Sequence, residues 1–292
     1  MKISIEILDK LIAEADAELS AQGLTIAQRP IAALIYVGKK LNIPVPITKP
    51  IEGVYTEASE NWDVSNHVYE WFFHRYGDKT KMNYSPGRMA VLINEDIFVF
   101  RFPLVFGSAY FSASRQSKKS GNVISKHPQM FNAIDSIDDI PDGLRAILTD
   151  EQLNQLLELF MLGIEVMQQL SEFQENALIN AALSDMNLSV DSLCGNRPEF
   201  GQSKWLSLQA IEKILKYVIQ KNGHRYSQKH DLAILLTEAK SAGYSFKIEH
   251  YLDSIKCTPK IRYGEESCTK REAVSAHHAV FMAAKAIMQS LN

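Results

Sequence analysis

The residues with the clearest chemical potential lie late in the chain, where an arginine precedes two adjacent histidines. Arg271 is followed six and seven positions later by His277 and His278. Histidine exchanges protons near neutral pH because its ordinary pKa is about 6.5, and arginine carries a fixed positive charge. These residue types could therefore move a proton beside a bound anion.

Helical spacing separates the two histidines. If Arg271 is already helical, His278 returns to within about 20° of its face, on a polar stripe that includes Lys285, whereas His277 lies about 120° away on an apolar stripe. If Arg271 instead lies in a turn before the helix, His277 is the alternative partner. A histidine on an apolar stripe is also commonly a core residue whose ring is hydrogen-bonded, and a histidine on a polar stripe is commonly a solvated surface residue.

The elements that position these residues are predicted to be mostly helical. Apolar residues three and four positions apart indicate amphipathic helices in the first 80 residues. β-Branched and aromatic residues at 88–114 indicate two or three antiparallel strands with a hairpin turn at 94–96. Thr149 and Gln152 form a capping-box pattern that predicts the start of a long helix.

A polar stretch from Gln116 to about Asp135 indicates a surface loop. Three or four long amphipathic helices with short connections predict an antiparallel bundle in the last third. The predicted fold class is therefore α+β and mostly helical. The expected domains are an α+β domain at 1–148, a connecting helix at 149–174 and a helical bundle at 175–292.

Three sequence elements of the last third resemble the HEPN family (higher eukaryotes and prokaryotes nucleotide-binding). They are the Gln-Ala-x-Glu-Lys-x-Leu-Lys string at 209–216, the His-Asp-Leu string at 230–232, and Arg262-Tyr263 before an alanine-rich segment. The resemblance covers roughly 175–292. Gly264 stands where the family usually has proline after the Arg-Tyr pair.

The resemblance implies an up-down helical bundle that often dimerises, and a family whose active members are metal-independent ribonucleases of toxin–antitoxin and antiviral systems. Their signature is an arginine, usually followed by a polar residue, and then a histidine four to six residues beyond, which here corresponds to Arg271 with His277 or His278. Glu272 follows Arg271 where asparagine, aspartate or histidine is common. In cleavage through the ribose 2′-OH, histidine would move the protons and arginine would stabilise the phosphorane-like charge. The candidate RNA- or nucleotide-binding residues are Arg262, Tyr263, Lys270 and Lys285.

Composition limits the classes of function. Residues 200–292 carry 14 Lys+Arg and 8 Asp+Glu, a net charge of +6, and the remaining 17 and 26 give residues 1–199 a net charge of −9. The basic segment is where a polyanionic partner is expected. The three scattered cysteines indicate reduced thiols and a cytoplasmic location, and no apolar run is long enough to cross a membrane. His67 and His74 lack a third ligand, so no metal or other cofactor is expected.

Two functions fit these observations. In the first, a HEPN domain binds RNA or nucleotides and Arg271 with His278 or His277 forms a ribonuclease site completed by a second protomer of a homodimer. In the second, the bundle is a non-catalytic dimerisation or nucleotide-sensing module, and the N-terminal domain recognises a protein partner. The sequence alone leaves open whether the protein is an enzyme.

Overall fold

The computed structural model describes residues 3–47, 57–80, 85–105, 109–117, 129–228 and 230–291. The chain divides into two compact units, Met1–Asn83 and Tyr84–Asn292. This division does not coincide with the predicted limit after residue 148. The strands and the long helix that follows them share one apolar core with the C-terminal helices, so they belong to the second unit.

The first unit contains three helices: α1 (Ile5–Ala21), α2 (Arg29–Leu41) and α3 (Trp62–Tyr76). Two short 3-10 turns flank α3, at Glu57–Asn61 and Gly77–Thr80. The apolar stripe of α1 packs against Val68 and Phe72 of α3, as its periodicity predicts. Asp16 is buried among these helices and accepts a hydrogen bond from Arg29 Nη1 at 3.2 Å.

The second unit begins with an antiparallel hairpin of β1 (Arg88–Ile93) and β2 (Asp96–Arg101). A second pair, β3 (Ala109–Ser112) and β4 (Gln129–Asn132), is parallel. Antiparallel pairing of a third strand was expected, and β4 falls within the stretch predicted as a loop. Part of that stretch, residues 118–128, lies outside the described residues. Stacking of Phe111 on Phe131 across the pair, with ring centroids 5.7 Å apart, supplies an apolar contact that the polar composition of the segment conceals.

Helices make up the rest of the second unit. They are α4 (Asp142–Ile147), α5 (Asp150–Ser171), α6 (Ala177–Cys194), α7 (Phe200–Lys221), α8 (Leu232–Ser241), α9 (Glu249–Ile255), α10 (Pro259–Arg262) and α11 (Lys270–Gln289). The Thr149–Gln152 capping box opens α5 as predicted. The predicted α+β, mostly helical class and the C-terminal helical bundle are confirmed.

Helix α11 lies at the centre of this unit. It packs against α5, α6, α7, α9 and β1, and Phe281 on α11 contacts Phe102, with ring centroids 6.3 Å apart. None of the helices in the described part of the chain combines the length and apolar composition that a membrane-spanning helix requires. The placement of α11 against β1 determines the surroundings of Arg271 and the two histidines.

Candidate functional site

Arg271 is the second residue of α11 and is fully helical. Thr269 caps the helix, and Thr269 with Glu272 forms a capping box. A helical Arg271 is the condition under which His278, rather than His277, lies on its face of the helix. The side chain of Arg271 is exposed and donates to the carboxylate of Glu95, with an Nε to Oε2 distance of 3.0 Å and a second bond from Nη2.

His277 points into the core. Its Nε2 accepts a hydrogen bond from the backbone N–H of Ala90 at 3.3 Å, so the ring proton lies on Nδ1, which donates to Ser189 Oγ at 3.3 Å. The ring is fully buried and packs edge-on against Phe281. Burial, with smaller contributions from His278 and Arg88, lowers the pKa of His277 to about 3. Both ring nitrogens of His277 are therefore engaged within the protein.

His278 is partly buried and binds the same strand residue. Its Nε2 donates to the carbonyl oxygen of Ala90 at 2.7 Å. Burial lowers the pKa of His278, and the bond to Ala90 opposes that shift. The two histidines thus bind the N–H and the C=O of one residue in β1.

The register of the hairpin explains this arrangement. Ile93 pairs with Asp96 next to the turn, and Ala90 lies opposite Val99. Hydrogen-bonded and non-hydrogen-bonded pairs alternate in antiparallel strands, so the backbone groups of Ala90 point away from β2. Without the histidines, the buried N–H and C=O of Ala90 would lack hydrogen-bond partners, which would lower the stability of the folded chain. The adjacent histidines of α11 therefore supply the hydrogen-bond partners for the backbone of Ala90 at the outer edge of β1.

A cluster of serines lies beneath His277. Ser189 Oγ contacts Ser203 Oγ at 2.8 Å and Ser207 Oγ at 3.3 Å, and all three side chains are buried. This cluster could not be predicted from the sequence, because small polar residues inside amphipathic helices give no periodic signal. The cluster completes the hydrogen bonding of a neutral His277 in the core.

The predicted binding residues fall in different places. Lys270 donates from Nζ to the carbonyl oxygen of Glu95 at 2.6 Å, beside Arg271. Lys285 forms an ion pair with Glu165 of α5 at 2.7 Å. Lys270 and Lys285 are 15 positions apart on one helix, which corresponds to about 22 Å. The structure therefore does not bring Lys285 to Arg271.

Arg262 and Tyr263 lie beside a groove of about 580 Å³ between the start of α7 and the loop around α10. The guanidinium of Arg262 lies over the rings of Trp205 and Tyr263, 4.9 Å and 5.2 Å from their centroids. Arg262 Nε also donates to Gln202 Oε1 at 3.3 Å. Tyr263 is 70% exposed. The stacking of Trp205 on Arg262 could not be predicted from the sequence, since 57 positions separate the two residues.

Gly201 permits α10 to lie directly on α7. A Cβ atom at this position would lie 2.1 Å from the carbonyl oxygen of Ile261. We expect Gly201→Ala to lower the free energy of unfolding by about 1–3 kcal/mol, because the backbone of α10 must move. Urea denaturation would measure the loss. Gly143→Ala is the matched control, since a Cβ at Gly143 meets nothing within 4 Å; an equal loss in both variants would contradict the tight contact.

The Gln-Ala-x-Glu-Lys-x-Leu-Lys and His-Asp-Leu strings meet at a buried carboxylate. Glu212 is buried and accepts hydrogen bonds from Lys216 Nζ at 2.6 Å and His230 Nδ1 at 2.8 Å. Asp231 caps α8 by accepting a hydrogen bond from Ala233 N at 2.9 Å. The two strings therefore join α7 to the start of α8.

The fold of this segment is a helical bundle, and comparison with known families identifies it. Residues 176–274 match the model of the HEPN domain, so this segment is a HEPN domain, as the resemblance predicts. The matched residues include Arg262, Tyr263, Lys270 and Arg271, and the match ends before His277. Searches of curated proteins and of solved structures found no match. Among the described residues, no group of three or more histidine, cysteine or acidic side chains is placed to hold a metal ion.

Proposed function

We propose that this is a cytoplasmic HEPN-domain protein that binds RNA or nucleotides, with Arg262 and Tyr263 as one candidate contact and Lys270 and Arg271 as another, without using its histidines as catalysts. The observation that carries the non-catalytic part is the engagement of both histidines by Ala90. A histidine with a pKa of about 3 is neutral at pH 7 and holds its protons for structural bonds, not for exchange with a substrate.

The stacked Arg262–Tyr263 pair supports binding. Single-stranded nucleic acid is commonly held by exposed aromatic rings and guanidinium planes, on which bases stack with little regard to sequence. Tyr263 provides an exposed ring, and Arg262 is held in place by Trp205 and Gln202. The net charge of +6 over residues 200–292 favours a polyanion.

Binding is tested by fluorescence anisotropy with a labelled single-stranded RNA at 50–200 mM salt. We expect Tyr263→Ala and Arg262→Ala each to weaken binding by roughly 5- to 150-fold, because loss of one stacked base costs about 1–3 kcal/mol. Lys285→Ala removes the same charge as Arg262→Ala, and we expect a smaller effect because Glu165 already neutralises Lys285. Equal effects of the Arg262 and Lys285 variants, or affinity that does not change with salt, would contradict the proposal.

Metal-independent RNA cleavage, of toxin or antiviral-defence type, is the second candidate. It is favoured by the exposure of Arg271 and by its position on the His278 face of α11. In that case the ring of His278 has to release Ala90 before it can move a proton, and β1 has to leave α11 if a second protomer is to complete the site there.

Incubation of RNA with the protein, with and without EDTA, separates the two candidates. The non-catalytic proposal expects intact RNA. Cleavage that persists in EDTA and disappears in Arg271→Ala and His278→Ala, with folding verified by circular dichroism, would establish the ribonuclease instead. Loss of cleavage in His277→Ala as well would be expected, because His277 has a structural role in the core.

A further inference from the structure

The turn between β1 and β2 contains an unfavourable residue. Asn94 and Glu95 form a two-residue hairpin turn, and both have left-handed backbones, with φ of 49° and 70°. Turns of this geometry favour Asn-Gly, because glycine adopts positive φ without steric cost. Asparagine is the usual first residue, but glutamate at the second position is strained. A glutamate at this position suggests that its side chain has a role.

Glu95 binds the two cations at the start of α11, one through its side chain and one through its backbone. Its carboxylate accepts two hydrogen bonds from Arg271, and its backbone carbonyl accepts one from Lys270. The hydrogen bond from Arg271 lowers the pKa of Glu95, so the carboxylate is charged at neutral pH. The Arg271 and Glu95 side chains are 73% and 62% exposed, so the pair faces water.

This contact has the chemistry of a phosphate site. Arginine binds carboxylates and phosphates through the same paired N–H geometry, and a neighbouring lysine adds a second charge. An exposed ion pair contributes little to stability, so a phosphate can replace Glu95 at low cost. The turn keeps a separate anchor, because Gln152 Nε2 of α5 donates to Asn94 Oδ1 at 2.9 Å. The carboxylate can therefore be displaced while the hairpin stays in place.

We propose that Glu95 is an internal competitor of RNA: its carboxylate holds Arg271, next to Lys270, until a phosphate group of the RNA displaces it. This rests on the proposed function, since it assumes that the HEPN domain binds RNA at these cations. It adds a regulation of that surface: the β1–β2 turn sets the RNA affinity of α11.

The test measures RNA affinity of the full chain by anisotropy with the labelled single-stranded RNA, for wild type, Glu95→Gln, Glu95→Gly and Asp96→Asn. We expect both Glu95 variants to bind roughly 3- to 10-fold more tightly at 50 mM salt, because the phosphate no longer has to displace a carboxylate from Arg271. Asp96→Asn removes the same charge one residue away and should give a smaller gain. In an Arg271→Ala background, the gain from Glu95→Gln should fall substantially.

Two variants at position 95 separate competition from turn strain. Glu95→Gly relieves the strain and should raise stability, whereas Glu95→Gln keeps the strained backbone, yet both should tighten binding. If wild type binds RNA and both Glu95 variants bind equally well, the competitor is refuted and RNA binding stands. If neither wild type nor any variant binds RNA, the proposed function fails and the competitor with it. Binding by the Glu95 variants alone would support the competitor most strongly.

Discussion

Lowering the pH from 7 to 5 should reduce the free energy of unfolding of the second unit by about 2 kcal/mol through His277 alone. Burial lowers the pKa of His277 to about 3 in the folded chain, whereas an unfolded chain restores it to about 6.5. Above pH 6.5, the ring is neutral in both states and the full stability is present. Below that value, only the unfolded state takes up the proton, so stability falls until the pH reaches about 3. Burial shifts the pKa of His278 in the same direction.

Urea denaturation of wild type and His277→Gln at several pH values measures this effect. The variant should be less stable at pH 7, because it loses the imidazole bonds to Ala90 and Ser189, but it should lose about 2 kcal/mol less on acidification to pH 5. Between pH 7 and pH 8, the two proteins should show parallel curves, which provides the internal control. Equal losses on acidification would mean that His277 is not held neutral in the core.

Glu212→Ala should destabilise the HEPN domain by about 3–5 kcal/mol. The substitution leaves Lys216, which is itself buried, without its carboxylate partner, and it removes the link from α7 to His230. An unpaired buried charge costs far more than the net contribution of the pair that it replaces. Chemical denaturation followed by far-ultraviolet circular dichroism would measure the loss.

A second substitution tests the reason for that loss. Adding Lys216→Met to Glu212→Ala removes the unpaired charge and should restore a large part of the stability, so the two changes should be strongly non-additive. Glu265→Ala, at an exposed position in the same domain, should change stability by less than about 0.5 kcal/mol. Additive effects of the Glu212 and Lys216 substitutions would show that the broken ion pair is not the source of the lost stability.

Local sequence patterns predicted the helices well and the tertiary partners poorly. Helical spacing alone assigned His277 to an apolar stripe and His278 to a polar stripe. In the structure, His277 is fully buried and His278 is partly exposed. The partner of both histidines, Ala90, carries no side-chain signal, because its role is played by backbone atoms. The same limit applies to Trp205 and Arg262, whose stacking depends on how α10 lies on α7.

The domain boundaries also depend on tertiary partners, which local sequence patterns do not report. The expected N-terminal domain at 1–148 includes the β-hairpin, whereas Met89 and Phe100 of that hairpin belong to the core shared with the C-terminal helices. Composition reports the character of a segment but not the surface against which that segment packs. The parallel strand β4 was missed for a related reason, because its four residues are too few to show a pattern.

The bond between Ala90 and His277 joins residues 187 positions apart, and this separation affects folding during synthesis. At 5–20 residues per second, roughly 10–40 s pass between the synthesis of β1 and that of the helix that satisfies its outer edge. During that interval, the unpaired N–H and C=O of Ala90 can template pairing with a strand of another chain. The synthesis of α11 therefore also ends the period in which the outer edge of β1 is open to such pairing.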